Sequence, residues 1–240
     1  MSRYSLQDTG FYLFLRLAVG NLVNSAAAAL GLGLASYREP ERVEAMRTFR
    51  ELKSGLDMGI TPLEAIQIFT LVRATEKLGG SMAEVGVYQG GSARLIRRAG
   101  TSRPLHLFDT FEEGMPEPGG TDTSVLWGPP RKGQLSCPLN IVKGHLRNSQ
   151  NVYFHQGLFP TTGEDVKNEK FSFVHSDVGL LASTRGVLDF FYPRLLPGGI
   201  IISHDYATAV GVRQAFAEFF RDLPEPVIEL PGNQGMVVKL

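Results

Sequence analysis

The chain has 240 residues, 43% of them hydrophobic, enough to bury one full-sized core with a smaller element attached. Lysine plus arginine number 24, as do aspartate plus glutamate, so no net field draws it to nucleic acid or anionic lipid, and a small, specific ligand fits better. The single cysteine, Cys137, excludes an internal disulfide framework and suits a reducing compartment, which makes the cytoplasm the expected location.

In chain order, the first feature is a charge-free run from Leu17 to Ser36, preceded by Arg3 and Arg16. As a signal peptide it has a basic start and small residues near Ala26 to Ala29, but it begins late and is diluted by Asn21, Asn24 and Ser25. As a membrane helix it is long enough, with polar residues where lipid would object. As a buried or dimer-facing helix it needs nothing unusual, because an alanine-rich stretch packs closely. That last reading makes a homo-oligomer the expected state; membrane contact through residues 11–36, hence membrane association, is the alternative. Residues 1–59 are read as an N-terminal helical extension and residues 60–240 as the main domain.

Within the extension, "EPERVEAMRTFRELKSG" reads as a solvated helix with Pro40 near its start and Gly55 at its end. The next helix carries a capping box, Thr61 with Glu64 three residues on, and Pro62 in the first turn. Its core face comprises Leu63, Ile66, Phe69, Leu71 and Val72, and Gly79 and Gly80 stop it. From there strands and helices alternate: strand 82–87, helix 91–99, strand "PLHLFDT", a helix near Leu139 to Asn148, strand "NVYFHQG", strand "FSFVHSD", helix 183–195, strand "GGIIISHD" and helix 210–221. Two short strands near 227–230 and 236–239 form a terminal hairpin. Such alternation predicts an α/β fold, a doubly wound parallel sheet covered on both faces. The irregular stretch from Glu112 to Pro138 is long for a compact domain, contains the single tryptophan, Trp127, and is expected to cover the site as a lid.

In such a sheet the ligand lies outside the carboxyl ends of the strands, where strand order reverses. There the first strand ends at Glu84 and Gly86, followed by Gly90, Gly91 and Ser92 leading into a helix. The second ends at Asp109, placed to accept hydrogen bonds from both hydroxyls of a ribose. The spacing is G-x-x-x-G-G, not the G-x-G-x-x-G that aims a helix at pyrophosphate, so a nicotinamide cofactor is opposed. An E-x-G-x-x-x-G turn instead suits S-adenosylmethionine, which is cationic and carries no phosphate. The fourth and fifth strands deliver Asp177 and Asp205 toward one crevice, and two carboxylates that close need a proton or cation between them. Oxygen ligands favour Mg²⁺ or Ca²⁺, while His204 would admit Mn²⁺, Zn²⁺ or another transition ion. His106 and His145 read as structural, His155 as a residue that could line the cofactor site, and Cys137 as an ordinary loop thiol.

These residues, with the blocks "AEVGVYQGGSA", "LFDTFEEGMP", "QGLFPTT", "VHSDVGLLAST", "YPRLLPGGIIISHDY" and "GVRQAFAEFF", give a chain that resembles the macrocin O-methyltransferase family from about Ile60 onward. The resemblance implies a mostly parallel seven-stranded sheet of the class I methyltransferase type. It implies S-adenosylmethionine as methyl donor, a divalent metal, and a hydroxyl of a sugar or other small natural-product molecule as acceptor. Tyr88, Thr110, Gly157 and Asp177 would join the cofactor contacts. Asp177, His204 and Asp205 would hold the metal. The family's fourth-strand block reads D-x-D-x-Y-E-S-T. Here Asp177 is kept, but the expected general base is Gly179, the tyrosine and glutamate are Leu181 and Ala182, and the D-D-Y after strand five is His204, Asp205 and Tyr206. His204 or His175 would then have to serve as base, the nucleophile would have to be easier to deprotonate than a sugar hydroxyl, or the chain binds cofactor without catalysing. Tyr88, Tyr206 and the 112–138 loop are the expected acceptor contacts.

Overall fold

The computed structural model describes residues 39–125 and 128–240; the apolar 11–36 segment and Trp127 lie outside them. The compact unit described here runs from Pro40 to Leu240. It opens with α1 (Pro40–Lys53), which has Glu41 in its first turn and Arg50 and Lys53 in its last, where each charge suits the helix dipole. This helix was expected to be solvated and to belong to the extension. Instead Ala45, Met46, Phe49 and Leu52, which recur on one face of the helix, sit in the same core as the helix that follows. Burying Phe49 and Leu52 contributes about 1.5–3 kcal/mol each. The next helix, α2 (Pro62–Ala74), forms the predicted capping box: Glu64 N–H donates to Thr61 Oγ1 at 3.3 Å, and Thr61 N–H donates to Glu64 Oε2 at 2.7 Å.

Seven strands follow in chain order: β1 (Ser81–Val85), β2 (Leu105–Asp109), β3 (Val152–Gln156), β4 (Phe171–Ser176), β5 (Leu195–Ser203), β6 (Ile228–Glu229) and β7 (Gly235–Val238). Their order across the sheet is β3-β2-β1-β4-β5-β7-β6. The first five are parallel; β7 runs antiparallel to β5 and pairs with β6 as the predicted hairpin. The fold is therefore the expected α/β, doubly wound and mostly parallel arrangement of seven strands. Strand order reverses between β1 and β4, which opens the crevice there.

Alternation along the strands separates two cores. Met82, Phe173, Ile200 and Ile202 face α1, α2, α3 (Gly91–Ala99) and α4 (Leu139–Leu146). Ala83, Val174 and Ile201 face α5 (Leu181–Phe191) and α6 (Val210–Phe219). A buried arginine that the sequence did not flag ties α2 to the sheet. Arg103 donates to the Val72 and Thr75 carbonyls at 2.7 and 3.2 Å and to Ser172 Oγ at 2.7 Å. Among the described residues no helix is long and apolar enough to cross a membrane.

Candidate active site

A cavity of about 290 Å³ opens at the carboxyl ends of β1, β2, β4 and β5. Its β1 wall is backbone. Gly86 has φ +85°, and a Cβ there would lie 2.0 Å from the Asp177 carbonyl oxygen, so only glycine lets β1 and β4 approach this closely. Tyr88 is held at φ +48°, outside the usual region for a side chain of its size. The carboxylate of Asp109 organises this turn: Oδ2 accepts the amides of Val87 at 2.6 Å and Tyr88 at 3.0 Å, and Oδ1 accepts that of Phe111 at 2.6 Å. Most of the acceptor capacity assigned to a ribose diol is thus already engaged, with Thr110 Oγ1 also 3.5 Å from Oδ1.

The β4 and β5 ends supply side chains. Strand register sets Glu84, His175 and Ile202 side by side, and alternation places Asp177 two residues beyond His175, and His204 two beyond Ile202, on that same face. The Glu84 Oε1 and His175 Nδ1 atoms lie 2.7 Å apart, both side chains completely buried. Burial pushes the Glu84 carboxyl up from its ordinary range, partly offset by the His175 partner. One ring nitrogen each from His175 and His204 and a carboxylate oxygen of Asp177 lie within 4.8 Å of one another. His175 Nε2 and His204 Nδ1 are buried without hydrogen-bond partners. Burial alone would lower the His204 imidazole, but Asp177, Asp205 and Glu64 raise it above its ordinary value.

Asp205 leaves this cluster. Its φ is +56°, its Oδ1 accepts from Asn233 Nδ2 at 2.8 Å, and its Oδ2 lies 3.7 Å from where a Cβ at Gly179 would begin. Burial, then the Asp177 charge, push its carboxyl upward. The strand ends therefore bring Asp177 together with His204 and His175, while Asp205 keeps its Oδ1 3.9 Å from His204 Nε2 and its Oδ2 toward residue 179.

The 112–138 stretch, expected as a lid, lines the cavity with described residues, among them Met115, Pro116, Ser124 and Leu135. It is stitched to the β5–α6 connection by a bridge between Ser124 and Ala209 and by the amides of Val125 and Val210. Its anchor is Asp122, unanticipated from sequence: Oδ1 accepts the Leu181 amide at 2.8 Å, at the start of α5, and Oδ2 accepts that of Gly119 at 2.7 Å.

Among the expected residues, Gly86, Tyr88, Gly91, Ser92, Asp109, Thr110, Gly157, Asp177, His204 and Asp205 line the cavity. Others do not. Glu84 and His175 lie beneath its floor, so His175 cannot reach an acceptor directly. Gly90 caps α3 and packs against Val142. Tyr206, expected to touch the acceptor, is buried against Phe216 and Gly235 under the Arg213 guanidinium. His155 stacks on Phe108 at 4.4 Å and pairs with His106 at 3.0 Å, away from the lining. Cys137 is buried, and burial pushes its thiol up, as befits an inert side chain.

Comparison with known proteins adds three findings. The family model described as Macrocin-O-methyltransferase (TylF) matches residues 58–234. A curated protein of Streptomyces olivaceus, 8-demethyl-8-(2,3-dimethoxy-alpha-L-rhamnosyl)-tetracenomycin-C 4'-O-methyltransferase, is 30% identical over 162 residues; the match spans 62% of this chain and 62% of that protein. Solved structures with the same fold include the O-methyltransferase NovP, with a TM-score of 0.57 at 21% identity over 72% of this chain and 79% of that one. They also include the calicheamicin methyltransferase CalS11, with a TM-score of 0.57 at 17% identity over 85% and 94%.

Proposed function

Because the chain belongs to the macrocin O-methyltransferase family, we propose that it transfers a methyl group from S-adenosylmethionine to a hydroxyl of a small, sugar-like or other natural-product acceptor. The observation that carries this reading is the β1 wall: the Gly86 turn and its Asp109 anchor open directly onto the cavity that Asp177, His204 and Asp205 close from the other side.

The cofactor's sulfonium is already activated, so transfer is an in-line displacement: the sulfur–methyl bond breaks as the acceptor oxygen bonds the methyl carbon. The Gly86–Ser92 turn would hold the methionine portion, and Asp109 Oδ1, with Thr110 beside it, would take part of the ribose. The acceptor hydroxyl must still lose its proton. Asp205 Oδ2 stands beside the empty side-chain position of Gly179, where the family's second aspartate would begin. We assign it the role of taking that proton, and burial with the Asp177 charge raises its carboxyl above the ordinary range, which strengthens it as a base. Asp205 thereby takes the role first assigned to His204 or His175. A divalent cation fits the floor, since buried imidazole nitrogens beside Asp177 lack any other partner. When bound, such an ion supplies Lewis acidity that eases hydroxyl ionisation.

Gly179 favours a second reading, a cofactor-binding relative that no longer transfers methyl groups. Titration with S-adenosylhomocysteine, followed by a methyl-transfer assay over a panel of glycosides, separates the two. Binding with transfer is the expected result; binding without any transfer favours the relative; no binding overturns both.

A further inference from the structure

We infer that His175, Asp177 and His204 form a built site for a borderline divalent transition ion of the Zn²⁺ or Co²⁺ class, in preference to Mg²⁺, with Glu84 orienting His175. The inference rests on the proposed function and deepens it by identifying the ligands and the class of ion. It departs from the set Asp177, His204 and Asp205 expected from sequence.

Three observations converge. First, alternation on adjacent parallel strands puts all three side chains on one sheet face, with donor atoms within 4.8 Å of one another. Zinc–nitrogen bonds of about 2.0–2.1 Å place tetrahedral donors about 3.4 Å apart, so the three side chains must draw together by up to about 1.4 Å to ligate the ion, and a fourth position stays open. Second, His175 is fully buried and its Nε2 has no hydrogen-bond partner, and His204 Nδ1 is likewise buried and alone. An orphaned imidazole nitrogen costs free energy that a metal bond would recover. Third, the other nitrogen of His175 is already paired with Glu84 at 2.7 Å. A carboxylate on the far nitrogen fixes the tautomer of a metal-bound histidine and raises its basicity.

The donor set decides the ion. Two imidazoles and one carboxylate match ions that accept nitrogen, whereas Mg²⁺ demands oxygen ligands in near-ideal octahedral geometry. Asp205 Oδ1 is held by Asn233 Nδ2 at 2.8 Å and stays 3.9 Å from His204 Nε2, so it pairs with a ligand and does not join the three clustered donors. Asp177 and His204 line the cavity, so the open coordination positions would face the acceptor.

The test uses the full chain, stripped with a chelator and titrated separately with Zn²⁺, Co²⁺, Mn²⁺ and Mg²⁺. Bound metal is counted by mass spectrometry, and S-adenosylhomocysteine affinity is measured on the same samples. One equivalent of Zn²⁺ or Co²⁺, retained against a large excess of Mg²⁺, is expected, and zinc-edge X-ray absorption should count two imidazoles. Glu84→Gln should weaken retention about 10- to 100-fold, and His175→Asn or His204→Asn by at least as much, while Asp205→Asn leaves it unchanged. Displacement by Mg²⁺, loss on Asp205→Asn, fewer than two imidazoles, or no metal retained by the wild-type chain would each overturn the site. The X-ray absorption count needs no variant, so it stands even if a buried substitution unfolds the protein. Metal failure with intact S-adenosylhomocysteine binding leaves the proposed function standing; absent S-adenosylhomocysteine binding removes the proposed function itself.

Discussion

The two walls of the cavity are made from different materials. On the β1–β2 side the surface is mostly backbone, set by Gly86 against the Asp177 carbonyl and by three amides on Asp109. On the β4–β5 side the surface is side chains: the His204 imidazole and two carboxylates, with the His175 imidazole beneath them, all in positions that depend on strand parity. A backbone wall tolerates few substitutions, because any Cβ at Gly86 collides with the next strand. A side-chain wall can exchange an aspartate for a histidine, or lose one at position 179, without moving a strand. The difference teaches why a cofactor wall built from backbone is harder to alter than an acceptor wall built from side chains.

Breaking the side-chain wall at its proton acceptor should have the largest effect. Asp205→Asn is expected to lower kcat by about 10²- to 10⁴-fold with S-adenosylhomocysteine affinity unchanged. A parallel fall in affinity would mean that Asp205 shapes the cofactor site as well. Gly179 sits at φ +65°, a conformation that aspartate tolerates better than most residues. Adding Gly179→Asp to that variant should therefore cost about 1 kcal/mol of stability and restore part of the turnover.

Breaking the backbone wall comes next. Gly86→Ala drives a methyl group into the Asp177 carbonyl at a positive φ, and about 3 kcal/mol of stability should be lost, read as a lower melting temperature, together with cofactor affinity. An unchanged melting temperature would show that the strands can part there. Asp109→Ala strips the acceptor from three amides and should weaken S-adenosylhomocysteine binding by about 1–3 kcal/mol, measured by titration, with a smaller effect on melting.

The backbone wall was legible in the sequence and the side-chain wall only partly so, for a physical reason. The E-x-G-x-x-x-G-G spacing, and an acid closing the following strand, are local facts, and they led to Gly86, Gly91, Ser92 and Asp109 directly. Which side chains meet across β4 and β5 depends on register, and register is a property of two strands. Asp177 and Asp205 looked like partners because each ends a strand. Yet the His175-x-Asp177 spacing, read with a period of two, already put those residues on one face, and Ile200, Ile202 and His204 share another such stripe. That periodicity was available and would have separated Asp205 from the cluster. Asp122 was not available in this way: it reaches Leu181 across 59 residues of chain, and no local pattern marks such a contact. Glu84 was misplaced by the opposite error, since its motif position suggested the ligand while its parity turned it inward to His175.

The smallest expected effect lies at the β3 edge of the sheet, in a histidine pair outside the lining and behind Phe108. His106 Nδ1 and His155 Nε2 are 3.0 Å apart, with Glu169 beside His106 at 3.1 Å and Asp165 beside His155 at 3.7 Å. Burial lowers both imidazoles below their ordinary value, and the two carboxylates only partly oppose it. Below the unfolded-state pKa of about 6.5 the unfolded chain therefore binds protons that the folded chain refuses, so this pair makes stability fall as pH drops from about 6.5 toward the lowered folded values. His204 acts in the opposite sense, because its raised value lends stability that is lost as pH rises, and comparing two chains that both keep His204 cancels it. His155→Gln removes one titrating site and keeps a group able to bond His106. Denaturant unfolding between pH 7.5 and 5 should show a shallower decline for the variant, by at most about 1.4 kcal/mol per pH unit, the limit set by one proton. Identical slopes would mean that His155 binds protons alike in the folded and unfolded chains, with Asp165 just offsetting burial.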